Sequence, residues 1–423
     1  MYKKTILKNG LRIITSPMPK MQSVALGVWI KIGGRYETYQ NKGISHYLEH
    51  LLFKGSRKYS CRRIKESIEG VGGTLNGFTS EEATCYLVKL PCRYLNLGLS
   101  VLSDMVINPK LSQEDIDKER TVILEEIKMY KDMPQSYVYD LLDELLWPNQ
   151  MLGASVIGSA ESVCAINKAD LDSYKNKHYT PVNIVVSAAG SMDNDKFIKD
   201  IGRAFLGCKK SFANEFIKVR EGGQARPQLK LLPKDTEQTH IVIGFHSFKR
   251  EDPLKYAQAI LHVILGANMS SRLFNELREN KGLAYEIGTA VKRFQDTGAF
   301  LVHAGIDNRK VIEAVRVILE ELGKIKNVLV LNDELKRAKE FYLGQLELAM
   351  EDTMDQMLWI GESTLTLDKT YTLEQVIKEI DKLKKEDIRE AAQLIFQENK
   401  LNLAMIGPLK TQEEQIRQEL TLK

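Results

Sequence analysis

The chain is poor in cysteine, histidine and tryptophan, and each scarcity narrows the classes of protein it can belong to. Of its 423 residues, five are cysteine, seven are histidine and three are tryptophan. No two cysteines form a C-x-x-C pair, so the sequence has neither a zinc-ribbon knuckle nor a thioredoxin-like redox motif. An odd number of cysteines in a large chain favours reduced, packed thiols over a disulfide framework. We therefore predict a cytoplasmic protein.

Long apolar runs and an excess of one charge are also missing. No stretch approaches the about 20 apolar residues of a membrane helix, and the N-terminus lacks the apolar core of a secretion signal. The net charge is only +4, from 60 basic and 56 acidic side chains, and no polybasic run occurs. We predict neither a membrane nor a nucleic-acid partner. With 43% hydrophobic residues, the composition is that of a soluble globular protein.

The length indicates more than one domain. A polar stretch rich in glycine, Glu221–Pro227, separates two segments of about 200 residues that repeat one pattern of strand, helices and strand pair. We predict an α+β fold of two similar domains, each an antiparallel-dominated β-sheet with helices packed on one face. The predicted boundaries are 1–212 for the metal-binding domain, 213–228 for the linker and 229–423 for a homologous domain without a metal site.

One pentapeptide, His46–His50, contains three residues suited to metal-assisted hydrolysis. An α-helix from Ile44 to Phe53 would place His46, Glu49 and His50 on one face, because positions i, i+3 and i+4 project together. Two imidazoles one turn apart can share a Zn²⁺, and a neighbouring carboxylate can hold and deprotonate a water. This H-x-x-E-H order is the inverzincin signature.

A catalytic zinc site usually has three protein ligands, and a second helix offers candidates for the third. The segment Ser112–Asp132 begins with a plausible N-cap and an acidic first turn. Glu119 and Glu126 lie two turns apart on the face that Val122 and Ile123 are expected to bury. A carboxylate on an apolar face is costly without a partner. Glu119 and Glu126 are therefore stronger candidates for a functional role than Glu125, which is expected to be solvated.

With these residues the sequence resembles the pitrilysin and mitochondrial processing peptidase family of zinc metallopeptidases, in a half-size bacterial-type form. Glu126 follows His50 by 76 residues, the spacing of the family's distal glutamate. The resemblance implies that His46, His50 and Glu126 bind one Zn²⁺ per chain. It also implies that Glu49 is the general base, and that Glu119 is a supporting carboxylate that orients a ligating imidazole.

The segment Gly73–Ser80 resembles the family's strand beside the zinc, which accepts the substrate. The resemblance implies that Asn76, Gly77 and Phe78 present an edge strand to which a peptide adds by main-chain hydrogen bonds. Gly77 departs from the family pattern, in which alanine is common at this position. The departure bears on substrate preference and not on metal binding.

In the second half, Arg278 and Tyr285 match the family's Arg–Tyr pair, which completes the site from another domain. The resemblance implies that Tyr285 stabilises the oxyanion and that Arg278 anchors a substrate carbonyl or carboxylate. Because this chain has two of the four domains of single-chain members, we expect a two-fold homodimer with a composite active site.

The predicted function is that of a zinc-dependent endopeptidase that cleaves peptides or short unfolded polypeptides. Three alternatives stay open: a non-catalytic subunit, the catalytic half of a heterodimer in a processing-peptidase-like complex, and a metal hydrolase with another kind of substrate. Manganese or cobalt could replace zinc at such a site.

Overall fold

A computed structural model of the chain describes residues 2–208, 211–220, 222–409 and 412–422. The strands in these ranges form two β-sheets and run in chain order as follows: β1 (Lys3–Ile6), β2 (Arg12–Pro17), β3 (Ser23–Ile30), β4 (Thr74–Thr79), β5 (Thr84–Pro91), β6 (Ile184–Gly190), β7 (Gln228–Pro233), β8 (Gln238–Ser247), β9 (Ala284–Arg293), β10 (Gly298–Asp307) and β11 (Asn402–Gly407).

The α-helices run in chain order as follows: α1 (Ile44–Leu52), α2 (Cys61–Glu69), α3 (Leu95–Ile107), α4 (Gln113–Asp132), α5 (Pro134–Leu146), α6 (Ala160–Ala165), α7 (Lys168–His178), α8 (Asn194–Ala204), α9 (Lys255–Gly266), α10 (Val311–Asn327), α11 (Asn332–Glu351), α12 (Thr353–Leu367), α13 (Leu373–Lys382), α14 (Lys385–Ile395) and α15 (Glu413–Glu419). Residues Phe274–Asn280 form a π-helix. None of the helices in the described ranges combines the length and apolar character that crossing a bilayer requires.

The chain divides into two compact units, neither of which is continuous in sequence. The first unit contains the chain through Lys128 together with Ala154–Ile217 and Glu347–Thr372. The second unit contains Met129–Gly153, Lys218–Leu346 and the chain from Leu373 onwards. The domain boundaries 1–212, 213–228 and 229–423 stay a prediction from the sequence.

The sheet of the first unit has the strand order β1-β2-β6-β3-β5-β4. Only β2 and β6 are parallel, and β4 lies at one edge. Along β3, Val24, Leu26 and Val28 point into the larger core, which also contains residues of α1 and α3. Because side chains alternate along a strand, the intervening Ala25 and Trp29 point to the other face.

The sheet of the second unit has the order β7-β11-β8-β10-β9, and again only one pair, β7 and β11, is parallel. This order repeats that of the first sheet strand for strand, without an equivalent of β1. The predicted α+β fold with two antiparallel-dominated sheets is confirmed. The matching strand orders also agree with the repeated pattern of the two halves.

Each sheet carries, in addition to the predicted helices, one helix on its opposite face. In the first unit this helix is α12, which packs on β2, β3 and β6, and in the second it is α5, which packs on β8 and β11. Close packing of α12 depends on Gly361, because a Cβ there would lie 2.1 Å from the Trp29 indole nitrogen. That indole donates a hydrogen bond to Ser187 at 2.8 Å.

Candidate metal centre

Helix α1 forms where the pentapeptide predicts it, and eight of its nine residues are buried. Tyr47, Leu48 and Leu51 pack into the core of the first unit. His46 and His50 lie on the other side of the helix, and their ring centroids are 4.6 Å apart. The predicted helix from Ile44 to Phe53 is therefore correct to within one residue.

Helix α4 also forms as predicted, and the Ser112 hydroxyl accepts a hydrogen bond from the Asp115 amide at 3.2 Å. Its buried face carries Ile116, Glu119, Ile123 and Ile127. Val122 is 48% exposed, so the prediction that it is buried was wrong. The buried residues of α4 recur every three or four positions. Val122 directly precedes the buried Ile123, and neighbouring residues of a helix point about 100° apart, so its side chain faces solvent.

The side chains of His46, His50 and Glu126 converge between α1 and α4. One potential ligand atom of each lies within 4.8 Å of the others. Oε2 of Glu126 lies 3.7 Å from Nε2 of His46 and 3.6 Å from Nε2 of His50. Within the described residues, this is the only group of three His, Cys, Asp or Glu side chains close enough to hold a metal ion.

The donor atoms of this group fit zinc. Oε2 of Glu126 is buried and has no hydrogen-bond partner among the described residues. An unpaired buried acceptor costs about 1–3 kcal/mol, and a cation between it and the two imidazoles would remove that cost. Two nitrogens and one carboxylate oxygen match a catalytic zinc site with an open position. Burial lowers the pKa of His46 to about 3, with a contribution from His50, so the imidazole stays neutral and able to bind a metal.

Glu119 lies behind His50, as the sequence predicts for a supporting carboxylate. Its Oε2 is 3.1 Å from Nδ1 of His50, and its Oε1 is 2.5 Å from Nζ of Lys54. The Glu119 carboxylate is buried, so each oxygen holds one partner with little competition from water. Lys54 was not predicted, because nothing in the local sequence pattern connects it to Glu119, which lies 65 residues further along the chain.

Glu49 lies on the same helix face but outside the group of potential ligands. It is 8% exposed, and its Oε2 accepts a hydrogen bond from Thr79 at 3.4 Å. Burial raises the pKa of the Glu49 carboxyl; His50 and the Thr79 hydroxyl oppose this shift, and Glu126 adds to it. The carboxylate is thus a stronger base than an exposed glutamate. Thr79 was also missed from the sequence.

Strand β4 passes beside Glu49. A Cβ at Gly77 would lie 3.0 Å from Oε1 of Glu49, so the strand backbone approaches the carboxylate closely. Phe78 is 37% exposed and packs edge-on against Trp29, with ring centroids 5.6 Å apart. The structure thus places Asn76, Gly77 and Phe78 on an edge strand next to the potential metal centre.

Arg278 and Tyr285 lie together in the second unit. The Arg278 guanidinium carbon is 5.2 Å from the centroid of the Tyr285 ring and 4.9 Å from that of Phe274. Tyr285 is 73% exposed. Arg278 belongs to the π-helix, a conformation that occurs often at functional sites. Phe274 was not predicted, although its spacing of four residues from Arg278 could have suggested the contact.

The chain belongs to peptidase family M16. Residues 12–160 match the model for insulinase (peptidase family M16), and residues 165–342 match the model for the peptidase M16 inactive domain. The first of these matches contains the whole potential metal centre, and the second contains the Arg278–Tyr285 pair. The family resemblance drawn from the motifs is therefore confirmed.

Similar bacterial proteins carry zinc protease names. The uncharacterized zinc protease YmxG of Bacillus subtilis is 36% identical over 412 residues, which cover 96% of this chain and 98% of YmxG. An uncharacterized zinc protease of Streptomyces coelicolor is 35% identical over 413 residues, covering 96% of this chain and 90% of that protein. These relatives support a zinc protease in general.

Among solved structures, a protease from Helicobacter pylori superposes with a TM-score of 0.91 at 22% identity, covering 96% of this chain and all of that one. A peptidase M16 inactive domain from Pseudomonas fluorescens gives a TM-score of 0.89 at 16% identity, covering 96% and 98%. At these identities the likeness establishes the fold.

Proposed function

We propose that this protein is a zinc-dependent endopeptidase that cleaves peptides or short unfolded polypeptides. The observation that carries the proposal is the position of Glu49, between a convergent His–His–Glu group and an edge strand. His46, His50 and Glu126 would hold one Zn²⁺ per chain, with Glu119 orienting His50. When bound there, zinc supplies a Lewis acid that polarises a carbonyl and makes water more acidic.

Glu49 is the proposed general base. Its buried carboxylate accepts a proton from the attacking water and passes it to the leaving amine, while Thr79 holds one carboxylate oxygen in place. The raised pKa of Glu49 suits this task, because a general base works best with a pKa close to the operating pH.

The edge of β4 is the proposed binding surface for the peptide backbone. The Ser80 amide bonds to the Ala83 carbonyl at 2.8 Å, which makes these residues a hydrogen-bonded pair at the turn between β4 and β5. Bonded and non-bonded pairs alternate in an antiparallel ladder, so the amide and carbonyl of Gly77 point away from β5. The Gly77 amide instead donates to the Asn76 side chain at 2.8 Å, a bond that a substrate carbonyl would replace.

Arg278 and Tyr285 are proposed to complete the site in trans, within a two-fold homodimer. Tyr285 would donate a hydrogen bond to the oxyanion, and Arg278 would hold a substrate carbonyl or carboxylate. The high exposure of Tyr285 supports this role, because its hydroxyl is accessible to a ligand.

The test combines metal analysis with cleavage of an internally quenched peptide. Wild-type protein should contain close to one zinc per chain and should cleave the peptide until a chelator is added. Glu49→Gln should retain zinc and lose about 10²–10⁴-fold in activity, the usual contribution of a general base. Glu66→Gln, which changes an exposed carboxylate on α2, is the control and should behave as wild type.

Other outcomes identify the alternatives. Full zinc content without cleavage would contradict the proposal and favour a non-catalytic subunit, whereas cleavage that requires a second, different chain would favour a heterodimer. Near wild-type cleavage by Glu49→Gln would assign the proton transfer to another group.

A further inference from the structure

The N-terminus of α1 lacks the side-chain cap that five other helices of the first unit have. Helices α2, α6, α7, α8 and α12 each begin after a Ser, Asn or Asp whose side chain accepts a first-turn amide. Helix α1 begins after Gly43, which has a φ of 92°. A Cβ at Gly43 would lie 2.8 Å from the Ile157 carbonyl oxygen, so a capping side chain does not fit there.

A buried carboxylate from outside the helix takes the place of the cap. Oε2 of Glu37 accepts the Gly43 amide at 2.7 Å, and Oε1 accepts the Ser45 amide at 2.8 Å. Glu37 is 4% exposed. The Ser45 hydroxyl is in turn hydrogen-bonded to the Tyr174 hydroxyl at 2.8 Å. Two buried groups from other parts of the first unit therefore hold the first turn of α1.

The two histidines of the potential metal centre are supported unequally. Nδ1 of His50 is bonded to Glu119, whereas Nδ1 of His46 is buried and has no hydrogen-bond partner among the described residues. The direction of the His46 ring is consequently set by its rotamer and by the backbone that carries it. His46 is the third residue of α1, adjacent to Ser45, whose amide Glu37 holds.

We infer that Glu37 is a positioning residue of the metal centre, which fixes the first turn of α1 and thereby the imidazole of His46. The inference rests on the proposed zinc-binding role of His46. A carboxylate suits this position because its charge complements the N-terminus of the helix dipole and its two oxygens accept two amides. Burial raises the pKa of Glu37 to about 7, and the hydrogen bonds from Ser45 and Gly43 oppose this shift because they stabilise the charged carboxylate.

Glu37→Gln is the discriminating variant, because glutamine keeps the size of the side chain and has one acceptor where two amides need one each. Hydrogen exchange of the metal-free protein should become faster at Gly43 and Ser45, and zinc should bind about tenfold more weakly. Asp104→Asn is the matched control. Asp104 is another buried carboxylate of the first unit that accepts a backbone amide, from Lys58 at 2.8 Å.

Asp104→Asn should lower the melting temperature of the protein but leave zinc affinity and exchange in α1 unchanged. If zinc affinity fell equally in both variants, the effect of Glu37→Gln would be one of general destabilisation, and the inference would be overturned. Unchanged zinc affinity in Glu37→Gln would overturn it as well. If Glu37→Gln fails to fold, Tyr174→Phe removes the other anchor of Ser45, and it should accelerate exchange in the same turn and weaken zinc binding.

Wild-type protein that binds no zinc would contradict the function itself. Wild-type protein that binds zinc with the same affinity as Glu37→Gln would contradict only the positioning role.

Discussion

Replacing Glu119 by glutamine would keep the shape of the metal centre while removing one hydrogen-bond acceptor. The Glu119 carboxylate faces two donors, the Nδ1–H of His50 at 3.1 Å and the ammonium group of Lys54 at 2.5 Å. Glutamine has one amide oxygen and one amide nitrogen, so it satisfies one donor and turns its own N–H bonds toward the other. Either His50 loses its orienting partner or Lys54 faces a donor in a buried site.

The expected decrease in zinc affinity follows from the loss of this one hydrogen-bond acceptor. Loss of a residue that supports a ligating imidazole usually costs 10–100-fold in metal affinity, which corresponds to about 1.4–2.7 kcal/mol. We expect Glu119→Gln to fall within this range, because the Nδ1 bond of His50 is lost or weakened while all three potential ligands remain. Zinc should therefore bind more weakly without being lost.

The assay is competition for zinc between metal-free protein and a chromophoric chelator of known affinity. Glu125→Gln is a matched control, since Glu125 is the direct neighbour of Glu126, is exposed and pairs with Lys128 at 2.7 Å. The control should bind zinc as wild type does. If zinc affinity is the same for Glu119→Gln as for wild type, the carboxylate does not support the metal centre and the reasoning is refuted.

Three further predictions concern the ligands, pH and assembly. His50→Ala should contain almost no zinc, and stoichiometric zinc in that variant would rule out the ligand assignment. In metal-free protein, the raised pKa of Glu37 (from 4.5 to about 7) gives stability that is full below pH 4.5 and is lost as the pH rises through 7. The lowered pKa of His46 (from 6.5 to about 3) gives stability that is present above pH 6.5 and is lost as the pH falls through 3. In urea unfolding, Glu37→Gln should therefore make stability rise more steeply between pH 4.5 and 7 than in wild type, and an identical slope would contradict this account. Mixing Glu49→Gln with Tyr285→Phe subunits should restore about one quarter of wild-type activity, because half of the dimers are mixed and each has one intact site; no recovery after verified subunit exchange would exclude action in trans.

The parts of the structure that the sequence predicts well depend on local patterns. Helix α1 follows from the spacing of His46, Glu49 and His50, and α4 follows from its N-cap and its acidic first turn. The strand orders of the two sheets agree with the repeated pattern of strands and helices in the two halves. Val122 was placed wrongly because two adjacent apolar residues leave the direction of the buried face ambiguous by one position.

The missed features depend on contacts between residues far apart in the chain. Helices α5 and α12 lie on the opposite faces of the sheets because strands such as β3 are apolar on both sides, and a continuous apolar run does not show which element covers each face. Two side-chain contacts were missed because they also join residues far apart in the chain: Lys54 with Glu119, and Thr79 with Glu49. The periodicity of residues along a single helix or strand does not predict such contacts.

The support of α1 explains how so short a helix can carry most of the potential metal centre. Its first turn is held by Glu37, and the Lys54–Glu119 ion pair lies just beyond its last turn. Neither support belongs to the H-x-x-E-H pentapeptide. A metal site loses affinity when its ligands must be ordered on binding, so a helix fixed at both ends favours binding of the ion. The pentapeptide therefore indicates the chemistry, whereas we expect the affinity for zinc to depend also on two carboxylates outside it, 9 residues before His46 and 69 residues after His50.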